Sequence, residues 1–116
     1  MKHYYVLLFD EDKIDAIELE RSVNSYNDSL YSNYNLTTMA MLFTMTKQML
    51  SVRQFENKEQ AMQYYNAMQE EGSPLSQYDK NNFDHFVIST QNYPTFYNRQ
   101  NIKAYLKFFK LMYLKN

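Results

Sequence analysis

Few side chains in this chain of 116 residues could do chemistry, and their spacing limits what that chemistry would be. The only histidines, His3 and His85, begin two segments that read as strands. If those strands pair as antiparallel neighbours, the imidazoles stand at opposite ends of the pair, too far apart to share a metal. Both read as ordinary strand-edge histidines. Ser89 and Thr90 end a strand, and a hydroxyl nucleophile needs a base within hydrogen-bond reach. No histidine lies near them in sequence, so they read as strand-end hydroxyls. The absence of cysteine excludes disulfides, thiol catalysis and cysteine metal sites. One glycine, Gly72, cannot build a phosphate-cradling loop or a hydrolase nucleophile elbow, which need several. "LLFDED" (7–12) sets acids after an apolar run, as a phosphoacceptor domain does. The later strand ends "VRQFENK" (52–58) and "FVISTQN" (86–92) carry no second Asp, so the acids read as the start of a capped helix. No catalytic residue, cofactor or metal is indicated, and the chain is expected not to be an enzyme.

The elements that would hold these residues follow from hydrophobic periodicity. "HYYVLLF" (3–9) is apolar on both of its alternating faces, which predicts a central strand covered on both sides. Asp10 to Asp12 offer N-caps for a helix over about 12–30, with Ala16, Leu19, Val23, Tyr26 and Leu30 as its stripe, widened by Ile14 and Ile17. Strands are expected over 36–46 and 49–55, forming a hairpin. Met39, Met41 and Met45 alternate along the first of these, which favours a core role for the methionines. Asn57 and Gln60 have capping-box spacing for a helix over 57–71, which buries Ala61, Tyr64, Tyr65 and Met68 and stops at Gly72 as its C′ residue. After a polar loop come a strand over 85–90, a brief helical turn through Tyr97 and a helix over 101–115. The order β-α-β-β-α-β plus a terminal helix predicts one α+β domain over 1–116. Its fold is ferredoxin-like: a four-stranded antiparallel sheet with both crossover helices on one face. The other face needs cover, and the terminal helix is the obvious candidate.

Charge is unevenly placed. Residues 1–98 carry 7 basic and 13 acidic side chains, and residues 99–116 carry 5 basic and none acidic. An acidic body disfavours phosphate contact, and the Gly- and basic-rich signature of RNA-recognition domains is missing, so no nucleic-acid partner is expected. No apolar run approaches the roughly 18 residues of a membrane span. The apolar stretch near residue 1 is about six residues, shorter than the ~7–15 of a secretory signal core. An envelope location would therefore require that this be a piece of a longer protein.

In "NIKAYLKFFKLMYLKN" (101–116), Lys103, Lys107 and Lys110 fall in a band of about 60° on a helical wheel. Ile102, Tyr105, Leu106, Phe109, Met112 and Tyr113 share a broad apolar face, and Ala104, Phe108 and Leu111 extend it around the far side. That arc is wider than one packed face needs, which predicts a helix that closes a core and also contacts another chain or domain. The candidate contact surface is Lys103, Lys107, Phe108, Lys110 and Leu111.

"SVRQFENKEQAMQYYNAM" (51–68) is similar to the strand-to-helix step of sporulation-related repeat (SPOR) domains. With "HYYVLLF", "HFVISTQNYPTFY" and "IKAYLKFF", the chain more closely resembles the C-terminal domain of tetratricopeptide lipoproteins of Bacteroidetes linked to gliding motility and type IX secretion. The resemblance implies a non-enzymatic module of the periplasm or cell envelope, at the end of a longer lipoprotein, that meets a protein partner or forms a homodimer. A free-standing chain would instead be cytoplasmic. The SPOR-like pattern implies a second possibility, binding of peptidoglycan glycan strands across the sheet. An RNA-binding domain of the same element order is the third.

Overall fold

The computed structural model describes residues 1–114. The first strand, β1 (His3–Asp10), buries Tyr5 through Phe9 at 1% exposure or less, as a strand apolar on both faces requires. It lies between β3 (Lys47–Phe55) and β4 (Phe83–Ser89), with β2 (Thr37–Leu42) outside β3. The sheet is antiparallel throughout, in the order β2-β3-β1-β4. Helices α1 (Ala16–Leu30) and α2 (Lys58–Met68) form the two crossovers. Thr38 of β2, Val52 of β3 and Tyr5 of β1 lie in one register row. Thr38 hydrogen-bonds to Glu20 and Asn24 of α1, and the ring of Tyr5 packs on Tyr64 and Tyr65 of α2. Both helices therefore share a face. The fold is the expected ferredoxin-like α+β arrangement.

Several boundaries differ from the sequence reading, each for a local reason. Helix α1 starts at Ala16 rather than near 12, because Asp15, not Asp10 to Asp12, caps it by accepting the N–H groups of Ile17 and Glu18. Asp10 instead pairs with Lys47 across β1 and β3 at 2.9 Å. The buried stripe of α1 is Leu19, Val23 and Asn27, while Ile17 and Leu30 are 71% and 63% exposed. The hairpin turns at 43–46, because the Thr44 hydroxyl accepts the N–H of Lys47 and the Lys47 carbonyl accepts that of Phe43. This shortens β2 and extends β3 to Lys47. Met39 and Met45 are exposed, which corrects the core role expected of them, whereas Met41 packs partly buried against the core and Met49 and Met68 are buried.

Asn57 caps α2 by accepting the N–H of Gln60, whose side chain accepts the N–H of Glu56. The helix ends at Met68, three residues early, where the Ser73 hydroxyl donates to the freed Met68 carbonyl at 2.6 Å. Gly72 is therefore not its C′ residue. With φ at +91° it serves the following turn, and an added Cβ would meet no atom within 4 Å, so backbone conformation alone demands glycine. The segment expected as a polar loop holds 3-10 turns at Pro74–Gln77 and Lys80–Asn82 and buries Leu75. Strand β4 begins two residues earlier than expected.

Beyond β4 come α3 (Tyr93–Arg99) and α4 (Ile102–Phe109), the latter continued by a π turn at Lys110–Leu114. The sheet face opposite α1 and α2 carries Val6, Leu8, Met49, Phe86 and Ile88. Helix α3 covers much of it: Phe96 stacks on Phe43 at 5.2 Å and meets Phe86 edge-on at 5.1 Å. The terminal helix, expected as the cover of this face, reaches it at the β4 edge, where the rings of Tyr105 and Phe109 lie 4.8 and 6.4 Å from Phe86. Residue 115, the end of the helix expected over 101–115, lies outside the described residues.

Candidate interaction surface

Helix α4 is capped by Asn101, whose side chain accepts the N–H of Ala104. Its inner side holds Ile102, Tyr105, Leu106 and Phe109, the last at 1% exposure. Thr90 donates to the Lys2 carbonyl, which makes His3–Ser89 a pair without mutual bonds and turns the carbonyl of Val87 outward, two residues along. The Tyr105 hydroxyl donates to that carbonyl at 2.7 Å. Phe109 then meets Phe86 on one side of β4 and Tyr65 of α2 on the other. Helix α4 therefore lies along the free edge of β4 and shields it from pairing. Burial keeps the Tyr105 hydroxyl far above its usual titration range, so it stays a donor.

The π turn fastens the end of the helix. His3 bonds through Nδ1 to the Met1 carbonyl, so its Nε2 accepts from the Tyr113 hydroxyl at 2.9 Å. Lys58, at the start of α2, donates to the Met112 carbonyl and lies 4.5 Å over the ring of Tyr113. Widening the last turn seats Tyr113 inward and leaves Met112 outside, 57% exposed. The helical wheel had put Met112 on the inner face. A change of helix type leaves no mark in hydrophobic spacing.

All five candidate contact residues point outward. Lys103, Lys107 and Lys110 are exposed, Phe108 is 38% exposed and Leu111 53%. Met112 and Leu114 join them, so four large apolar side chains lie open within seven residues. Among the described residues, none of the three lysines pairs with an acid. Phe108 also borders a shallow groove of about 310 Å³ between α3 and α4, with Thr95, Arg99 and Ala104.

The sites weighed for chemistry look different in three dimensions. The histidines stand four positions apart along β1, His3 opposite Ser89 and His85 opposite Leu7. His85 is not a strand-edge bystander. Its Nδ1 lies 2.6 Å from the Tyr5 hydroxyl, its ring stacks on Tyr65 at 4.4 Å, and burial pushes its pKa down to about 4. The register does bring His3 beside Ser89, which sequence distance concealed. Both nitrogens of His3 are engaged elsewhere, however, and the Ser89 hydroxyl accepts the N–H of Asn92. No nucleophile and base are joined there. Among the described residues, no three His, Asp or Glu side chains group as a metal site, and no helix is long and apolar enough to cross a membrane.

On the sheet face that carries bases or sugars in other folds of this order, Arg53 is held between the rings of Tyr4, at 4.5 Å, and Tyr93, at 5.3 Å. Its guanidinium donates to Ser51 and to the Tyr93 hydroxyl. Comparison of the chain with protein-family models, with curated proteins and with solved structures returns no match.

Proposed function

We propose that this chain is a non-catalytic protein-interaction domain whose contact surface is the outer side of α4. One observation carries the reading: Phe108, Leu111, Met112 and Leu114 are exposed, beside three lysines with no acidic partner among the described residues, on a helix whose other side packs against the core through Tyr105, Leu106 and Phe109. A helix that only closed a core would not keep a second apolar side in water. The charge pattern indicates the partner's character. A second copy docking through the same surface would set lysines against lysines, so a homodimer of that kind is disfavoured. An acidic, amphipathic segment of another protein fits better. Placement in the cell envelope, within a longer lipoprotein, is part of the same proposal and rests on the resemblance of the strand and helix stretches quoted above.

Glycan binding across the sheet has less in its favour. The Tyr4 and Tyr93 rings that would stack on sugars contact each other edge-on at 5.1 Å and clasp Arg53, and α3 lies over the neighbouring strands. The test is sedimentation of the native complex from cells carrying the wild-type domain or Leu111→Asp. The variant domain is expected to leave the complex while its own thermal unfolding is unchanged. A complex that keeps Leu111→Asp would contradict the reading.

A further inference from the structure

A second concavity lies between α2, the 73–82 segment, β4 and the inner side of α4, and meets the outer side of that helix at Lys110 and Leu114. Its volume is about 320 Å³, near the lower end of the ~300–1,000 Å³ of small-ligand sites. Tyr65, Met68, Leu75 and Phe109 supply apolar walls.

His85 supplies the polar group. Among the described residues the Tyr5 hydroxyl has no other partner, so it donates to Nδ1, and the imidazole proton sits on Nε2. Among the described residues that N–H bonds to nothing and is not fully buried, and His85 lines the cleft, which leaves the N–H as a donor for a bound group. Lys80 and Lys110, both exposed and without an acidic partner among the described residues, border the same cleft. Asp84 borders it too, but its side chain alternates with that of His85 toward the other face of β4. Aromatic walls alone would also suit a cation. An N–H donor in the cleft and two ammonium groups beside it work against one.

We infer that this cleft is a binding site for a small carboxylate with an apolar aryl or alkyl body, its carboxylate taken by the His85 N–H and the two lysines. No bond is made or broken. The test is NMR titration of the domain with 4-phenylbutyrate, with 4-phenylbutylamine as the charge-reversed control. The carboxylate is expected to give saturable shifts at Leu75, Phe109 and the His85 Nε2–H. The amine should bind about tenfold more weakly or worse, as when a charge-assisted bond becomes a repulsion. Leu75→Trp fills the cleft and should abolish the shifts. Lys80→Glu, at an exposed position that folding does not need, should weaken the carboxylate and spare or favour the amine. Equal binding of the two probes, shifts confined to other surfaces, or no saturable shift in the wild-type domain would overturn the inference. None of these variants touches Phe108 or Leu111, so the contact surface of α4 is judged separately.

Discussion

At the scale of single residues, the buried polar groups carry the most consequence. Asn27 replaces an apolar residue on the stripe of α1, and its side-chain oxygen accepts the Tyr64 hydroxyl of α2 at 2.7 Å. Asn27→Ala leaves that hydroxyl buried and unpaired but also removes a buried amide nitrogen with no partner among the described residues, so urea unfolding should show a loss of about 1 kcal/mol. His85 adds a pH dependence. Its folded pKa, about 4, lies below the ordinary 6.5, so between those values the unfolded chain holds a proton that the folded chain does not. The stability it contributes is whole above about pH 6.5 and drains as pH falls toward 4, with about 2 kcal/mol lost between pH 7 and pH 5. The same unfolding series in His85→Gln should lack that slope; an unchanged slope would assign it to other groups. Burial also lowers the pKa of His3, which adds to the drain with the same sign. Sequence alone separated the two histidines correctly, because strand order decides that. It could not couple His85 to Tyr5, since that contact depends on the register of β1 against β4 and on burial from α2.

At the scale of elements, adjacent aromatic residues in α4 have opposite jobs. Phe109 closes the core at 1% exposure, and Phe108 faces solvent at 38%. Phe109→Ala should cost about 3–5 kcal/mol, whereas Phe108→Asp, which gives up ring contacts with Tyr105 and Tyr113, should cost about 1 kcal/mol in the same denaturation assay. Equal losses would mean that both sides of the helix are core. Tyr105→Phe removes the hydroxyl that caps the outward carbonyl of Val87. Its expected effect is a loss of about 1 kcal/mol, read by urea unfolding, with faster hydrogen exchange along β4. Periodicity located nearly every element, because each amphipathic stripe must face a core. What it missed were ends decided by one side chain: Asp15 at α1, Thr44 in the hairpin, Ser73 beyond α2. Each competes with neighbours of similar chemistry, and only geometry selects among them. The outward exposure of Lys103, Lys107, Phe108, Lys110 and Leu111 was legible as surplus apolar and basic side chains, whereas that of Met112 was hidden by the π turn.

At the scale of the whole molecule, the two crossover helices and the sheet form an acidic body, and α4 forms a basic, apolar edge. The helix both shields β4 from edge pairing and presents a strip that water does not favour. A partner with acidic groups around an apolar centre would meet steering attraction at long range and burial at contact. Added salt should therefore slow association more than it speeds dissociation, which stopped-flow mixing can separate once the partner is in hand. The most direct measurement is site-specific photo-crosslinking in living cells, with a benzophenone amino acid placed at Leu111 and, as control, at Ile17 on α1, which is still more exposed. A discrete protein adduct is expected from position 111, lost when Phe108→Asp is added, with none from position 17. No adduct at 111, or the same adducts from both positions, would contradict a contact surface on α4.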